Sequence, residues 1–231
     1  MPRNFSRGFT LLELLLVILV IAVLASIAYP AFTAIQERAR ITQDMNNLHE
    51  IGLAILVYLN DNDQVLPARL TWPGTSAAPT PTPGLYTKYI GTRKIFQSPF
   101  DKRSPSEAAD GTPPVSYGIN ANMYAQSPGI NGSMASVVSP ASTILMAPSY
   151  TGDPTQTTSW TGTAGTPPDL PAGGPAGNTK GPQSNGKRIN ALFCDTHVES
   201  ITFGPASVQG TFQNPGSTSD PIDQKHWDPT K

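Results

Sequence analysis

The chain has 231 residues with 15 basic and 16 acidic side chains, a formal net charge of -1, and only 13% charged residues. That length accommodates one domain and an anchor, and the balance lacks the basic stripe that neutralises phosphates, which argues against nucleic acid as a main partner. With 20 Gly, 24 Pro and a single cysteine, Cys194, the composition describes a loop-heavy exported domain without an intrachain disulfide, and not a compact cytosolic enzyme.

The first element is a short start containing Arg3 and Arg7, followed by Gly8-Phe9-Thr10-Leu11-Leu12-Glu13 and an apolar run. No charged residue occurs from Leu14 to Gln36. About 20 apolar residues suffice to span a bilayer, so this run reads as membrane helix, with the positive start on the cytoplasmic side. Glu13 is the misfit, because a carboxylate at membrane depth is costly and marks a functional position. Two ordinary readings compete: a secretory signal cut after Ser26-Ile27-Ala28 to release a chain starting at Tyr29, and a plain uncleaved anchor. Neither has a use for Glu13.

Past Pro30 the helical pattern resumes, with apolar residues at Ile35, Ala39, Met45, Leu48, Ile51, Ile55 and Leu59 and charges at Glu37, Arg38, Arg40, Asp44 and Glu50 between them. The pattern predicts one helix from about Thr10 to Leu59, bent at Pro30, whose ring removes a hydrogen bond. Gly52 is its weak point, by about 1 kcal/mol relative to Ala. At about 1.5 Å per residue the helix is about 75 Å long, so its second half must leave the membrane. Asn60-Asp61-Asn62-Asp63 ends it with turn-forming residues.

Residues 67 to 84 then read as a Pro-rich surface loop, and Leu85 to Phe96 as a short helix or an edge packed on the core. Strands are expected at Val115 to Ile119 and Thr143 to Ala147, with a loop of Gly, Pro, Thr and Ser from Ser149 to Gly186. Arg188 to Phe203 reads as a hairpin, since Ile189, Ala191 and Phe193 alternate with Asn190, Leu192 and Cys194 ahead of Asp195-Thr196. Thr196 suits a two-residue turn badly, because β-branching disfavours positive φ, so another turn type or an extra loop residue is expected.

The segment Gly8-Phe9-Thr10-Leu11-Leu12-Glu13 with its apolar helix resembles the class III signal of type IV prepilins and type II secretion pseudopilins. The resemblance implies a leader of residues 1–8, cleavage between Gly8 and Phe9, and N-methylation of Phe9 by a prepilin peptidase and methyltransferase. It also implies an assembly role for Glu13 and a helix-breaking role for Pro30. Loss of Arg3 and Arg7 would leave 13 basic against 16 acidic residues. The expected fold is α+β and pilin-like: a long N-terminal helix packed on a C-terminal antiparallel β-sheet with long loops. Residues 9–30 would form the transmembrane half, 31–60 the amphipathic half, and 61–231 the exported domain. Partners implied are membrane lipid, an inner-membrane assembly platform, and copies of the chain or other pilins. The chain would sit in the inner membrane as a single pass and then enter a periplasmic or extracellular filament. A membrane-anchored binding module that never polymerises is the alternative.

Further segments resemble pilin-like proteins that carry a C-terminal His-x9-Asp-Gly motif. They are Tyr58 to Asp63 before Pro67, Ser98-Pro99-Phe100-Asp101, Ser116 to Asn120, Ser142 to Met146, and Asn190 to Val198. The chain departs from that group at Asn185, Thr196 and Ser98, where the group has His, Gly and Cys. Calcium is a candidate ligand for Asp61, Asp63 and Asp101, which are hard oxygen donors in loops, and G-type pseudopilins carry a loop calcium. Asp and Asn at a helix end are also plain turn chemistry, and both readings stay open. Cys194, Asp195 and His197 are clustered, and Cys with His can make a nucleophile or metal ligands. On alternating positions near a turn they need not share a pocket. A buried, inert thiol is the expectation for Cys194.

Overall fold

The computed structural model describes residues 10–67, 88–101, 116–124, 130–148, 169–170, 188–202, 226 and 228–230. Helix α1 runs from Leu11–Asp61 without interruption and contains Pro30. By its contacts the chain divides into two compact units between Ala39 and Arg40.

In the first unit the apolar side chains from Leu11 to Ile35 stand exposed. Among the described residues, α1 is the one helix long and apolar enough to cross a membrane. Inside it, the Ser26 hydroxyl donates to Val23 O at 2.7 Å and the Thr33 hydroxyl to Pro30 O at 2.9 Å. These bonds hide hydroxyls against the helix's own carbonyls, which suits an apolar surrounding.

In the second unit α1 packs on a sheet with strand order β3-β1-β2-β4-β5. The strands are β1 (Tyr117–Asn120), β2 (Ile144–Pro148), β3 (Asp169–Leu170), β4 (Arg188–Phe193) and β5 (Val198–Thr202). Pairings β1–β2, β2–β4 and β4–β5 are antiparallel. The two-residue β3 runs parallel to β1, with Ile119 opposite Asp169. It lies in the stretch read from sequence as loop, and the reason is plain: two residues, one of them Asp and the next followed by Pro171, carry no alternation to detect. The remaining residues of that stretch, and Val115 and Phe203, lie outside the described residues.

The core has two parts. On the helix side Leu48, Ile51, Ile55 and Leu59 meet Phe96, Tyr117, Ile119, Leu145, Leu192 and Cys194. On the opposite face Ile144, Ala147, Ile189, Ala191, Phe193 and Ile201 form a second cluster. The alternation expected for β4 is therefore real, with both of its faces buried. The segment before β1 contributes Ile90, Ile95 and Phe96 to the helix-side core, through a 3-10 turn at Arg93–Phe96.

Close packing explains Gly52. A Cβ at this position would come within 2.8 Å of Leu192 Cδ1 and 3.5 Å of Thr196 Cβ, so α1 meets the β4–β5 hairpin where a side chain is missing. After Asp61 the chain turns through left-handed conformations at Asp63 (φ 50) and Gln64 (φ 61). Gln64 N–H closes on Leu59 O at 2.9 Å, and the Asn62 amide reaches Tyr58 O at 2.8 Å, satisfying carbonyls that the helix end leaves open.

The β4–β5 connection contains the expected extra residue. Thr196 N–H donates to Phe193 O at 3.0 Å, Phe193 N–H to His197 O at 2.9 Å, and Thr196 adopts φ 73. This is a tight turn followed by a left-handed residue, the three-residue hairpin loop whose last position usually takes Gly.

Candidate functional site

The first candidate lies at the start of α1. Gly8 and Phe9 lie outside the described residues, but Thr10 and Glu13 are set in full. Thr10 N–H and its hydroxyl both donate to Glu13 Oε2 at 2.9 Å, and Glu13 N–H donates back to Thr10 Oγ1 at 3.2 Å. Thr10 is the N-cap and Glu13 the third helical residue, so the pair forms a reciprocal capping box. The Glu13 carboxylate thus serves the open backbone N–H of Thr10 and its hydroxyl, and sits at the positive end of the helix, where a negative charge is favoured. Sequence reasoning placed Glu13 but missed its partner, although Thr10-x-x-Glu13 before an apolar run is the signature of this cap.

Residues 3–29 match the family model described as the prokaryotic N-terminal methylation motif. The chain carries a class III prepilin-type signal. The matched span covers the basic start, Gly8, Phe9 and Glu13, and it stops just before Pro30, which lies within the unbroken helix. No curated protein and no solved structure matches the chain. The prepilin-type signal together with the long helix and its C-terminal sheet gives a pilin-like α+β arrangement, and the motif is of the kind that type IV pilin-like and pseudopilin precursors carry. The signal helix fits an inner-membrane anchor.

A second polar cluster lies inside the folded unit, and the sequence reading assigned its centre wrongly. Asp44, grouped there with the charges lying between the apolar positions, is fully buried. It precedes Leu48 by one turn and so belongs to the same stripe as Leu48, Ile51, Ile55 and Leu59. The Ser98 hydroxyl donates to Asp44 Oδ1 at 2.5 Å, the Tyr117 hydroxyl to the same oxygen at 2.6 Å, and Asn190 Nδ2 to Oδ2 at 2.8 Å. Asn190 Nδ2 also reaches Ile41 O at 3.2 Å. The carboxylate therefore joins α1 to the 96–101 turn, β1 and β4. Burial pushes its pKa up, while the three donors pull it down.

Next to it, the Ser116 hydroxyl donates to Asp101 Oδ2 at 2.6 Å and accepts from Ser98 N–H at 2.9 Å. Asn47 Nδ2 donates to Gln97 O at 3.1 Å. Three segments quoted for the His-x9-Asp-Gly resemblance, at Ser98 to Asp101, Ser116 to Asn120 and Asn190 onward, thus meet around one helix residue. Asn185 lies outside the described residues.

The calcium candidates have other partners. Asp61 Oδ2 takes Lys88 Nζ at 3.3 Å and the Tyr89 hydroxyl at 3.0 Å, and the Tyr89 and Lys88 bonds hold its pKa down. Lys88 also supplies positive charge at a helix end that has no basic residue of its own. Asp63 is the left-handed residue after α1, and Asp101 is buried with Ser116. Among the described residues no three His, Cys, Asp or Glu side chains form a set able to hold a metal.

Cys194 is buried and its N–H donates to Thr143 O at 3.0 Å. Burial, with a contribution from the Asp195 charge, pushes the thiol up to about 12, far from the depressed value of a reactive thiolate. His197 is engaged elsewhere: its Nδ1 lies 2.5 Å from Asp195 Oδ1 and its ring stacks on Phe193 at 4.2 Å.

Proposed function

We propose that the chain is a structural subunit of a type IV pilus or a type II secretion pseudopilus, polymerised through its N-terminal helix and not catalytic. The observation that carries this reading is the coincidence of the methylation motif at residues 3–29 with a helix that continues unbroken to Asp61. An ordinary signal cut after Ala28 would divide that helix, whereas a cut at Gly8 leaves it whole.

The mechanism follows from charge. In the membrane Glu13 is provisionally satisfied by Thr10. Cleavage between Gly8 and Phe9 creates a positive amine at Phe9, which in a neighbouring copy offers Glu13 a stronger partner. A buried carboxylate without its partner is expensive and a paired one is tolerable, so the exchange selects one axial register for each incoming subunit. The prepilin peptidase and methyltransferase and an inner-membrane platform are the machinery this reading requires. Asp61, Asp63 and Asp101 act as turn and core residues, with calcium a separate proposal that melting with and without added calcium tests.

N-terminal sequencing of the membrane-extracted protein should return methylated Phe9; a start at Tyr29 refutes the assignment. Glu13→Ala should leave that cleavage intact and abolish filaments seen by electron microscopy. Normal filaments from this variant would rule out the pairing, and absence of filaments from the native chain and its partners would favour a non-polymerising anchored module.

A further inference from the structure

Residues 130–133 form a turn around an Asn-Gly pair, Asn131-Gly132. Both have positive φ, 49 and 80, and Ser133 N–H donates to Ile130 O at 3.0 Å. This is the I′ turn, for which Asn-Gly is the favoured sequence. Asn131 stands exposed at the tip, while Gly132 is buried. The Gly132 N–H donates to Met123 O at 2.6 Å, and Met123 is itself fully buried. The same turn holds the chain as it leaves α1. Leu66 N–H donates to Gly132 O at 2.8 Å, Met134 N–H donates to Gln64 O at 2.9 Å, and Val65 pairs with Ser133.

In an Asn-Gly pair the backbone nitrogen can attack the side chain before it, because glycine has no Cβ to hinder the approach. The Gly132 nitrogen, having lost its proton to a base, bonds to Asn131 Cγ. The Cγ–Nδ2 bond then breaks, and ammonia leaves with a proton returned from water. Water opens the cyclic imide at either carbonyl, giving an aspartyl or an isoaspartyl residue at position 131. We propose that Asn131 is a latent deamidation site, shut in the folded domain by the bond from Gly132 N–H to Met123 O and opened when this turn unfolds locally. That bond opposes loss of the proton, and burial keeps base and water from the nitrogen. The group that must be attacked is exposed, so the attacking nitrogen alone is under the control of the fold.

The two products affect the fold differently. An aspartyl residue keeps the length of the main chain and tolerates the left-handed conformation of Asn131. An isoaspartyl residue routes the main chain through the former side chain and adds a methylene to a tight turn. Gly132 O and Ser133 can then no longer meet Leu66 and Val65 together, and the chain loosens where it leaves α1. The rate of the reaction in the folded chain equals the rate in a free turn multiplied by the fraction of molecules in which the turn is open. Deamidation at Asn131 therefore records how long this corner of the domain has spent unfolded.

The test compares the full chain in detergent with a synthetic peptide of residues 127–136, both kept in mildly alkaline buffer. Mass spectrometry of proteolytic fragments should show Asn131 of the folded chain deamidating at about one-tenth of the peptide's rate or less. The two rates should converge in denaturing urea. Hydrogen exchange of the Gly132 amide in the folded chain should be slowed by a similar factor, because one opening governs both reactions. Equal rates in chain and peptide, or a Gly132 N–H that exchanges freely, overturns the proposal. So does slow deamidation that persists in urea, which would place the protection outside the fold. None of these measurements needs a variant, so no folding defect can obscure them.

Discussion

Thr196 shows how much a single residue can cost. Its φ of 73 is imposed by the tight β4–β5 connection, and a β-branched side chain there is strained by about 1–2 kcal/mol. Thr196→Gly should relieve most of that strain and raise Tm by about 2–4 °C for a chain of this size, measured by circular dichroism; a fall in Tm would mean the Thr side chain packs more usefully than its contacts suggest. The misfit of Thr with a two-residue turn was readable from its type alone. The reverse held for Asp44, whose position in the apolar stripe was visible but whose charge suggested the surface. A carboxylate with three donors, from residues 54, 73 and 146 positions away, cannot be recognised from local pattern, because the burial and the donors come from elements distant in sequence.

At the scale of elements, Gly52 determines how α1 lies on the hairpin. Gly52→Ala would gain about 1 kcal/mol of helix propensity, but its Cβ would come within 2.8 Å of Leu192 Cδ1 and force that fully buried side chain to shift. Overpacking of this kind costs about 1–3 kcal/mol, so the net effect should be a lower Tm, and a larger fall for Gly52→Val; thermal melts of both variants check the order. Periodicity revealed α1 and the hairpin because each carries its own repeat over many residues. It also located β1 and β2 to within two residues. It failed for β3, which has two residues and owes its existence to β1. Gly52 itself read as a flaw in the helix and is instead the point of closest approach, a distinction that only the facing strand supplies.

For the whole molecule, the division between Ala39 and Arg40 separates a segment whose apolar side chains are exposed from one with its own two-part core. A chain beginning at Arg40 should therefore be soluble without detergent and retain a cooperative melt, since every residue of both core clusters is kept. Aggregation or loss of the cooperative transition would show that the missing half supports the fold. The signal at residues 3–29 was legible because class III processing demands particular residues at fixed spacing, whatever domain follows. The Pro-, Gly-, Ser- and Thr-rich composition between the strands, by contrast, fixes no such spacing.

The unbroken course of α1 has a mechanical consequence. Within the folded unit, tension drawn along α1 from Arg40 onward runs parallel to the helix axis there, and Asp44, Leu48, Ile51, Ile55 and Leu59 resist it together. The interface is loaded in shear, so its contacts must yield at once and not one after another. A rod anchored in this way can carry a pull that would peel the same surface apart if applied from its end.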